Sequence, residues 1–306
     1  MRVVVTGGAG FIGSHIVEHF QGIADVRVLD NLRSGHLRNL EGFRYDFIRG
    51  SLLDPQALKR AVEGADYVFH LAAGVSVPES MRDPGMYNEI NTAGTLAVLE
   101  AAAHAGAKKF IFSSSAAVYG DSPSLPKVET MPPEPRSPYA MTKLDGEFYC
   151  RLFEEQGRLP TVCLRYFNVF GPRQDPESQY APVIARFVRQ CLRNEELTIF
   201  GDGEQKRDFV YVKDVVAANV FFATESTVTG TFNVAEGEAM SVNELAQLIR
   251  TLTGSKSPVA HANERPGDVR DSVASVDKLR KAGFSLASNR VDGLRQTVDF
   301  FRKRMG

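Results

Sequence analysis

Short apolar runs alternate with helix-like segments through the first half of the chain. β-branched and apolar residues fill 3–6, 26–29, 67–71 and 109–113, and each run is short enough for a buried strand. Helices are predicted at 13–22, 55–64, 87–105 and 139–155. Short buried strands that alternate with helices form a parallel sheet covered on both faces. The pattern therefore predicts an α/β fold with a doubly wound parallel sheet of the Rossmann type.

The pattern changes after about residue 165. Glycine and proline become frequent at 171–182 and 201–203, and the predicted strands are shorter. We therefore expect a first domain over 1–168, joined by a returning segment at 208–232. A smaller mixed α/β domain should make up most of 169–306.

Composition excludes several classes of protein. The 306 residues are 43% hydrophobic and 24% charged, which is typical of a globular protein. With 36 basic and 37 acidic residues the net charge is −1, so nothing indicates a nucleic-acid partner. We see neither a signal peptide nor a run of about 20 apolar residues, and we expect a cytoplasmic protein without a membrane span. Three cysteines match no zinc or redox motif and indicate a reducing compartment.

A glycine-rich turn follows the first strand, in the sequence TGGAGFIG at 6–13. Gly7 permits a tight turn, Gly10 lets backbone amides approach a pyrophosphate, and Gly13 lets the helix pack on the strand. The helix N-terminus adds N–H donors and partial positive charge. A strand before the motif and a helix after it favour a dinucleotide site.

Asp30 ends the next strand, 17 residues beyond Gly13. Its carboxylate should accept hydrogen bonds from the adenosine ribose and repel a 2′-phosphate, which favours NAD over NADP. Arg33 and Arg38 follow closely, so NADP stays open at this point.

Tyr139 and Lys143 are four residues apart and should share one face of a helix. A lysine charge and the nicotinamide cation favour the phenolate, so we expect the pKa of Tyr139 to fall below its ordinary value of about 10. The phenolate could then accept a proton from a sugar hydroxyl while hydride leaves the same carbon. Ser113, Ser114 and Ser115 lie at the end of a predicted strand, where ligands of this architecture bind.

Several motifs in order resemble the extended short-chain dehydrogenase/reductase superfamily, and within it most closely the UDP-hexose 4-epimerases. These motifs are TGGAGFIG, HLAA at 70–73, SSSAAVYG at 113–120, SPYAMTK at 137–143, RYFNVFGPRQDP at 165–176, GDGEQKRDFVYVKDV at 201–215 and RPGD at 265–268. The resemblance covers nearly the whole chain.

The resemblance implies a catalytic triad of Ser115, Tyr139 and Lys143. It also implies a set of cofactor contacts for NAD: Gly7, Gly10, Phe11, Ile12, Gly13, Asp30, Asn31, Ser51, Leu52, Leu71, Ala72, Ala73, Asn91, Ser113, Tyr139, Lys143 and Tyr166. Asn91 would support the Lys143 site. Many relatives have an aspartate that contacts adenine where this chain has Ser51, so that contact is in question.

For a UDP-sugar substrate, the resemblance implies contacts from Ser76, Ser115, Tyr139, Asn168, Val183, Phe187, Thr198, Phe200, Arg207, Arg265, Asp268 and Ser272. Arg207 and Arg265 would bind the diphosphate as forked donors, and Asp268 would accept from the uridine ribose.

The residues beside the triad favour one reaction among several. Relatives that dehydrate or decarboxylate carry acids after the strand-end hydroxyl, where this chain has Ala116 and Ala117. Oxidation at C4, turning of the 4-keto sugar and return of hydride then give C4 epimerisation. The alternatives are a UDP-glucuronate 4-epimerase, a one-way dehydrogenase or ketoreductase, and a regulator that binds NAD and nucleotide sugar without turnover.

Two positions bear on the sugar. Relatives restricted to glucose and galactose carry a large tyrosine where this chain has Ser272, so serine leaves room for an acetamido group. Asp175 stands where UDP-glucuronate 4-epimerases tend to have an arginine, and would repel a carboxylate. We expect interconversion of UDP-GlcNAc and UDP-GalNAc, with UDP-glucose and UDP-galactose as further candidates.

Two expectations concern binding beyond the substrate. His15 and His19 have helical spacing for a metal pair, but no third ligand is evident and we predict no metal site. The helices at 87–105 and 139–155 carry apolar residues beyond one face. Relatives pair these helices in a four-helix bundle, so we expect a homodimer.

Overall fold

A seven-stranded parallel sheet forms the centre of the molecule. The computed structural model describes residues 1–177, 181–264 and 270–305. The strands, in chain order, are β1 (Arg2–Thr6), β2 (Asp25–Asp30), β3 (Asp46–Arg49), β4 (Tyr67–His70), β5 (Lys109–Ser115), β6 (Thr161–Tyr166) and, later in the chain, β10 (Gly230–Val234). Their order across the sheet is β10-β6-β5-β4-β1-β2-β3. The order reverses beside β1, and ligands bind at such a switch point in open α/β sheets. The predicted doubly wound sheet is confirmed.

Helices cover both faces of this sheet. They are α1 (Phe11–His19), α2 (Pro55–Val62), α3 (Val77–Arg82), α4 (Pro84–Tyr87), α5 (Gly94–His104), α6 (Pro138–Glu155) and α8 (Val212–Val220). One apolar cluster joins the sheet to α1 and α8, and another joins it to α2, α5 and α6. No helix of the described residues is both long and apolar enough to span a bilayer.

A second unit of short strands lies after β6. It contains β7 (Asn168–Phe170), α7 (Val183–Leu192), β8 (Leu197–Phe200), β9 (Lys206–Tyr211), β11 (Ala239–Ser241), α9 (Val242–Thr253), β12 (Val259–Ala262), β13 (Asp271–Ser272) and α11 (Arg290–Met305). Helix α10 (Asp277–Lys281) instead packs on β10, and its Leu279 belongs to an apolar cluster of the large sheet. Strand β9 pairs with β7 and β13 in parallel and with β11 in the antiparallel direction. Strands β8 and β12 form a separate parallel pair. A third apolar cluster joins α7, α9 and α11 to these strands.

The segment predicted to return to the first domain divides between the two units. Strand β9 lies in the small sheet, whereas α8 packs against α1 and β10 pairs with β6 at the edge of the large sheet. The domain boundaries themselves stay a prediction.

The helix expected at 87–105 is not one regular α-helix. Residues Asn88–Ala93 form a π-helical turn between α4 and α5. Apolar periodicity does not reveal such a turn, since it adds one residue without ending the helix. Helix α1 likewise begins two residues earlier and ends three residues earlier than predicted.

Candidate active site

Glycines hold the turn after β1 in close contact with the end of β4. Gly7 has a φ of +70°, and a Cβ there would lie 2.7 Å from the backbone nitrogen of Ala72. A Cβ on Gly13 would lie 2.3 Å from the carbonyl oxygen of Gly7, so any side chain would push α1 off the turn. Gly10 caps α1 from extended backbone, which leaves the first N–H groups of the helix facing the turn. This cradle fits the pyrophosphate of a dinucleotide.

Phe11 and Ile12 open α1, and both are half-buried. Their side chains pack against the apolar cluster of the second unit. The start of α1 is therefore fixed from both units of the molecule.

Asp30 fastens this turn to the end of β2. One carboxylate oxygen accepts from the backbone N–H of Ala9 at 3.0 Å and the other from that of Leu32 at 2.7 Å. Burial raises the pKa of Asp30, against the lowering effect of these two hydrogen bonds. A carboxylate oxygen accepts more than one bond, so contact with a ribose hydroxyl remains open to it. The neighbouring Asn31 is exposed and accepts from the backbone N–H of Arg33 at 3.0 Å.

The two arginines that left NADP open differ in their surroundings. Arg33 pairs with Glu79 at 3.0 Å, and Glu79 is itself held by the Tyr87 hydroxyl at 2.9 Å. Arg38 is exposed. Because Glu79 already neutralises the arginine nearest to Asp30, this arrangement favours NAD.

The other predicted cofactor residues lie at strand ends around the switch point. Leu71, Ala72 and Ala73 follow β4 and are half-buried. Ser51 follows β3, where its hydroxyl accepts from the backbone N–H of Leu53 at 3.2 Å. The side chain of Leu52 is buried in the apolar cluster beneath α5, so any contact with a cofactor would come from its backbone.

A buried histidine, His70, supports this edge of the sheet. The Thr6 hydroxyl lies 2.7 Å from Nδ1 of His70 and also accepts from the N–H of Ala72 at 3.3 Å. Nε2 of His70 lies 2.9 Å from the Thr95 hydroxyl on α5. Burial lowers the pKa of His70 to about 3, so the ring is neutral. The chain of bonds fixes the loop after β4. The signal for it was a histidine within an apolar strand.

The predicted triad comes together at the end of β5. Ser115 ends the strand, and Tyr139 and Lys143 are on the first two turns of α6. The Ser115 side chain is near enough to the Tyr139 phenol to lower the pKa of Tyr139 by hydrogen bonding. The Nζ of Lys143 donates to the carbonyl of Ser113 at 2.8 Å and lies 5.9 Å from the centroid of the Tyr139 ring. A hydroxyl, a phenol and an ammonium therefore lie side by side at the carboxyl edge of the sheet.

Burial controls the protonation of this cluster. It raises the pKa of Tyr139, while the Ser115 hydrogen bond acts in the opposite direction. It also lowers the pKa of Lys143 to about 8, since the ammonium is desolvated. The lowering of the Tyr139 pKa by Lys143 and a nicotinamide cation stays a prediction for the NAD-bound protein.

Asn91 connects the π-helical turn to the catalytic helix. Its side-chain oxygen accepts from the N–H of Gly74 at 2.7 Å, and its amide nitrogen donates to the Gly74 carbonyl at 3.0 Å. The same nitrogen lies 3.0 Å from the hydroxyl of Thr142, next to Lys143. Asn91 therefore contacts the residue next to Lys143, and its support of the Lys143 site stays a prediction. Ser76, the predicted sugar contact, caps α3 by accepting from the N–H of Glu79 at 3.2 Å.

An ion pair that the sequence did not reveal lies under the triad. Arg165 on β6 binds Glu147 on α6 through two bonds of 2.8 and 2.6 Å, and both side chains are more than 90% buried. The Ser114 hydroxyl donates to the same carboxylate at 2.5 Å. Arg165 also lies 4.7 Å from the centroid of the Tyr119 ring. The available signal was a glutamate one helical turn after Lys143.

Tyr166 is placed in the core beside Ser113. Its hydroxyl lies 3.2 Å from that of Ser113 and donates to Asn219 on α8 at 2.9 Å. Burial raises the pKa of Tyr166 to about 12, so the phenol stays protonated. The side chain is 8% exposed, which leaves it little surface for the predicted cofactor contact.

The small sheet brings together three of the predicted substrate residues. Ser272 on β13 is opposite Arg207 on β9, and the Asn168 amide on β7 donates to the carbonyl of Asp208 at 3.1 Å. Arg207 donates to the carbonyls of Lys206 and Arg270, both at 3.0 Å. One end of this sheet thus carries an amide, a guanidinium and a hydroxyl.

The remaining predicted substrate residues that the structure describes are half-buried, except for one that is fully buried. Val183, Thr198 and Phe200 are half-buried on α7 and β8. Phe187 has no exposed surface and packs in the core under α9 and α11, so its placement does not support direct contact with a substrate. Arg265 and Asp268 lie outside the described residues.

Three residues named above for the reaction or for a metal have places in the structure that account for them. Ala116 and Ala117 follow Ser115 in a short 3₁₀ turn and offer no acid beside the triad. Nε2 of His15 lies 2.9 Å from the carbonyl of Pro172, and its Nδ1 is 3.3 Å from Glu18. Among the described residues, no three His, Cys, Asp or Glu side chains are grouped to hold a metal.

Comparison with known proteins agrees with this geometry. Residues 3–235 match the NAD dependent epimerase/dehydratase family. The chain is similar to a UDP-N-acetylglucosamine 4-epimerase from Methanobrevibacter ruminantium, solved with UDP-N-acetylmuramic acid. That structure is 44% identical, covers 99% of each chain and has a TM-score of 0.96. A UDP-glucose 4-epimerase from Thermotoga maritima, solved with UDP-glucose, is 41% identical over 100% of each chain with a TM-score of 0.95.

A third structure carries the cofactor. It is the NAD complex of a UDP-glucose 4-epimerase from Thermus thermophilus, which is 39% identical over 99% of each chain with a TM-score of 0.90. The glycine cradle, Asp30 and the Arg33–Glu79 pair of this chain fit such a cofactor. The chain belongs to the NAD dependent epimerase/dehydratase family.

Proposed function

We propose that this protein is a UDP-sugar 4-epimerase that acts on UDP-GlcNAc and UDP-GalNAc. The observation that carries the proposal is the cluster of Ser115, Tyr139 and Lys143 beside the glycine cradle. It puts a proton-accepting phenol next to the place where a dinucleotide would bind. The small sheet supplies Asn168, Arg207 and Ser272 for the nucleotide sugar.

In the proposed reaction, Tyr139 moves the proton of the sugar 4-hydroxyl. Ser115 hydrogen-bonds the phenol and orients the hydroxyl of the sugar. Lys143, held by the Ser113 carbonyl, favours the phenolate through its charge. Bound NAD would supply the hydride acceptor and then return the hydride to the other face of C4.

Contacts on the nucleotide side would hold UDP while the sugar turns. Arg207 is on the central strand of the small sheet, with its guanidinium already oriented by two carbonyls. Arginine suits this role because its planar fork matches phosphate oxygens. An anchor on UDP and few polar contacts on the hexose would let the keto sugar present either face.

The choice of an N-acetylated sugar is supported by Ser272 and by the 44% identical archaeal relative named for UDP-N-acetylglucosamine. A small residue admits the acetamido group without rejecting the smaller hexose. Asp175, whose carboxylate lies 3.6 Å from His36, is an acid at the position where UDP-glucuronate 4-epimerases tend to have an arginine, and it would repel a uronate carboxylate.

The function is tested by incubating the purified protein with UDP-GlcNAc, and separately with UDP-glucose, without added NAD. The nucleotide sugars are then resolved by NMR. We expect UDP-GalNAc to appear without net NADH. Formation of UDP-galactose alone would retain the reaction and overturn the sugar assignment. If no epimer forms even with NAD added, the proposal is wrong.

Ser272→Tyr tests the sugar pocket. The larger side chain should cut kcat/KM for UDP-GlcNAc by roughly 10- to 100-fold more than for UDP-glucose, since steric exclusion of a substituent acts at this scale. Ser272→Ala is the control, because it keeps the pocket open. Equal losses on both sugars after Ser272→Tyr would contradict the pocket argument.

We further propose a homodimer through α5 and α6. Met141, Phe148 and Leu152 are between 43% and 49% exposed, and their spacing places them along one face of α6. Such a stripe is expected where a second helix pair packs. Phe148→Asp should convert the dimer to a monomer in light scattering, whereas Glu155→Gln on the same helix should not. A wild-type monomer would exclude the dimer.

A further inference from the structure

Asp208 is a buried carboxylate that the proposed chemistry does not use. It is on β9, immediately after Arg207, and has no exposed surface. It accepts three backbone hydrogen bonds, from the N–H of Glu236 at 2.8 Å, Gly237 at 3.1 Å and Ala274 at 3.2 Å. The first two donors follow β10 of the large sheet, and the third follows β13. One side chain therefore joins three segments that are distant in sequence.

The third donor belongs to a segment with little regular structure of its own. Strand β13 has two residues, and residues 273–276 run beyond it. On one side, the backbone N–H of Lys127 donates to the carbonyl of Val273 at 2.8 Å, and the carbonyl of Lys127 accepts from the backbone N–H of Ser275 at 2.8 Å. Asp208 contacts the same stretch through Ala274. The two contacts fix this stretch directly after Ser272.

Arg207, which directly precedes Asp208 on β9, contacts the other end of this segment. Its guanidinium donates to the carbonyl of Arg270 at 3.0 Å, at the start of the same segment. Ser272 pairs with Arg207 in the register of β13 and β9. A shift of residues 270–275 would therefore move both the proposed sugar-facing serine and the proposed diphosphate-binding arginine.

We propose that Asp208 is a positioning residue for the UDP-sugar site, which sets the place of residues 270–275 relative to Arg207. The inference rests on the proposed function. Asp208 does not touch the reacting atoms. By accepting the N–H groups of Glu236, Gly237 and Ala274, it holds β9, which carries Arg207, at a fixed distance from the segment that carries Ser272.

The chain offers a matched control in Asp214. This carboxylate, on α8, is 2% exposed and accepts the backbone N–H groups of Ala287 and Ser288 at 3.0 and 3.1 Å. It has the same chemistry as Asp208 but holds a segment leading into α11. Replacement of either aspartate by asparagine keeps the size of the side chain and turns one accepting oxygen into a donor. A general loss of stability should affect both variants, whereas a loss of positioning should affect only one.

The experiment compares wild type, Asp208→Asn and Asp214→Asn as full-length proteins with bound NAD. It measures the melting temperature, UDP affinity by calorimetry, and kcat and KM for UDP-GlcNAc. For Asp208→Asn we expect KM and the Kd for UDP to rise roughly tenfold, as for loss of one charge-assisted bond, with kcat changed less than about twofold. For Asp214→Asn we expect a lower melting temperature with wild-type KM and UDP affinity.

Several results would overturn the inference. One is a wild-type KM in Asp208→Asn, and another is an equal rise of KM in both variants. A fall in kcat at constant KM would also exclude a positioning role in binding. If Asp208→Asn does not fold, Ala274→Pro removes the N–H that the segment donates, while it also fixes the backbone φ of residue 274, and it should raise the Kd for UDP at least to the same degree. A wild type that binds UDP but epimerises no sugar would refute the proposed function, while the UDP affinities would still test Asp208.

Discussion

The proposed catalytic end of the large sheet and the proposed substrate end of the small sheet are built by different means. Tyr139 and Lys143 share an 18-residue helix, and Ser115 ends a seven-residue strand, so regular backbone hydrogen bonds fix most of their geometry. On the substrate side, Ser272 is on a strand of two residues that is held by side-chain and loop contacts. The first region is positioned by regular structure and the second by single long-range bonds.

Because of this difference, substitutions in the two regions should affect different measured properties. A change in the catalytic region should act on the chemical step or on the stability of the whole domain. A change in the substrate region should act on binding, because its segments can shift without unfolding the large sheet.

The strongest test of the catalytic side is Tyr139→Phe. It removes the group that moves the proton, and we expect kcat to fall by about 10³-fold, within the range for general acid–base catalysis. UDP affinity by calorimetry should stay within about twofold, since the proposed UDP anchor lies on the small sheet. Turnover near the wild-type rate would exclude Tyr139 as the base.

Glu147→Gln tests whether the buried ion pair stabilises the catalytic region. Removing one charge leaves Arg165 buried without its partner, and such changes cost about 3 kcal/mol of unfolding free energy. Glu155→Gln is the control on the same helix, because the exposed Arg151–Glu155 pair at 3.7 Å should contribute less than about 1 kcal/mol. Denaturant unfolding measures both. Equal losses would show that burial does not separate the two pairs.

The smallest expected effect concerns pH on the substrate side. Burial raises the pKa of Asp208 to about 6, although its three backbone hydrogen bonds and Arg290 lower it. Because the folded chain binds this proton more tightly than the unfolded chain, the stabilisation is present at low pH and is lost as the pH rises through about 6. Between pH 7 and pH 5, wild type should gain about 1 kcal/mol of unfolding free energy relative to Asp208→Asn.

That comparison uses denaturant unfolding of both proteins at the two pH values. Subtracting the variant removes the contribution of the other titrating groups, as far as these act independently of position 208. A difference that does not change with pH would show that Asp208 titrates outside this window.

The sequence predicts that Ser115, Tyr139 and Lys143 lie close together at one sheet edge because its signals there are local. Four-residue spacing places Tyr139 and Lys143 on one helical face, and a glycine pattern marks the turn at Gly7. The doubly wound sheet follows from alternating strands and helices. These features depend on residues close in sequence or on strand order, which handedness rules restrict.

The substrate region is less accessible from sequence. The bond from Ala274 to Asp208 spans 66 residues, and that from Glu236 spans 28. Asp208 directly follows two other charged residues, Lys206 and Arg207, so the sequence does not mark it as buried, and backbone N–H donors have no sequence signature. The Glu147–Arg165 pair joins a helix to a strand, and its partners were not predicted to meet. The family resemblance assigned Phe187 to the substrate, but its burial in the core is a tertiary property that the motif does not show.

The π-helical turn at Asn88–Ala93 makes the length of this segment matter more than its composition. A regular α-helix advances each residue by about 100°, so deleting one residue here would restore α-helical bonding and rotate one flank relative to the other by that angle. Asn91 would then turn away from Gly74, or Thr95 from His70. A substitution within the turn changes one contact, whereas a single deletion changes the orientation of α5 relative to the loop after β4, so that the contacts to both cannot be kept.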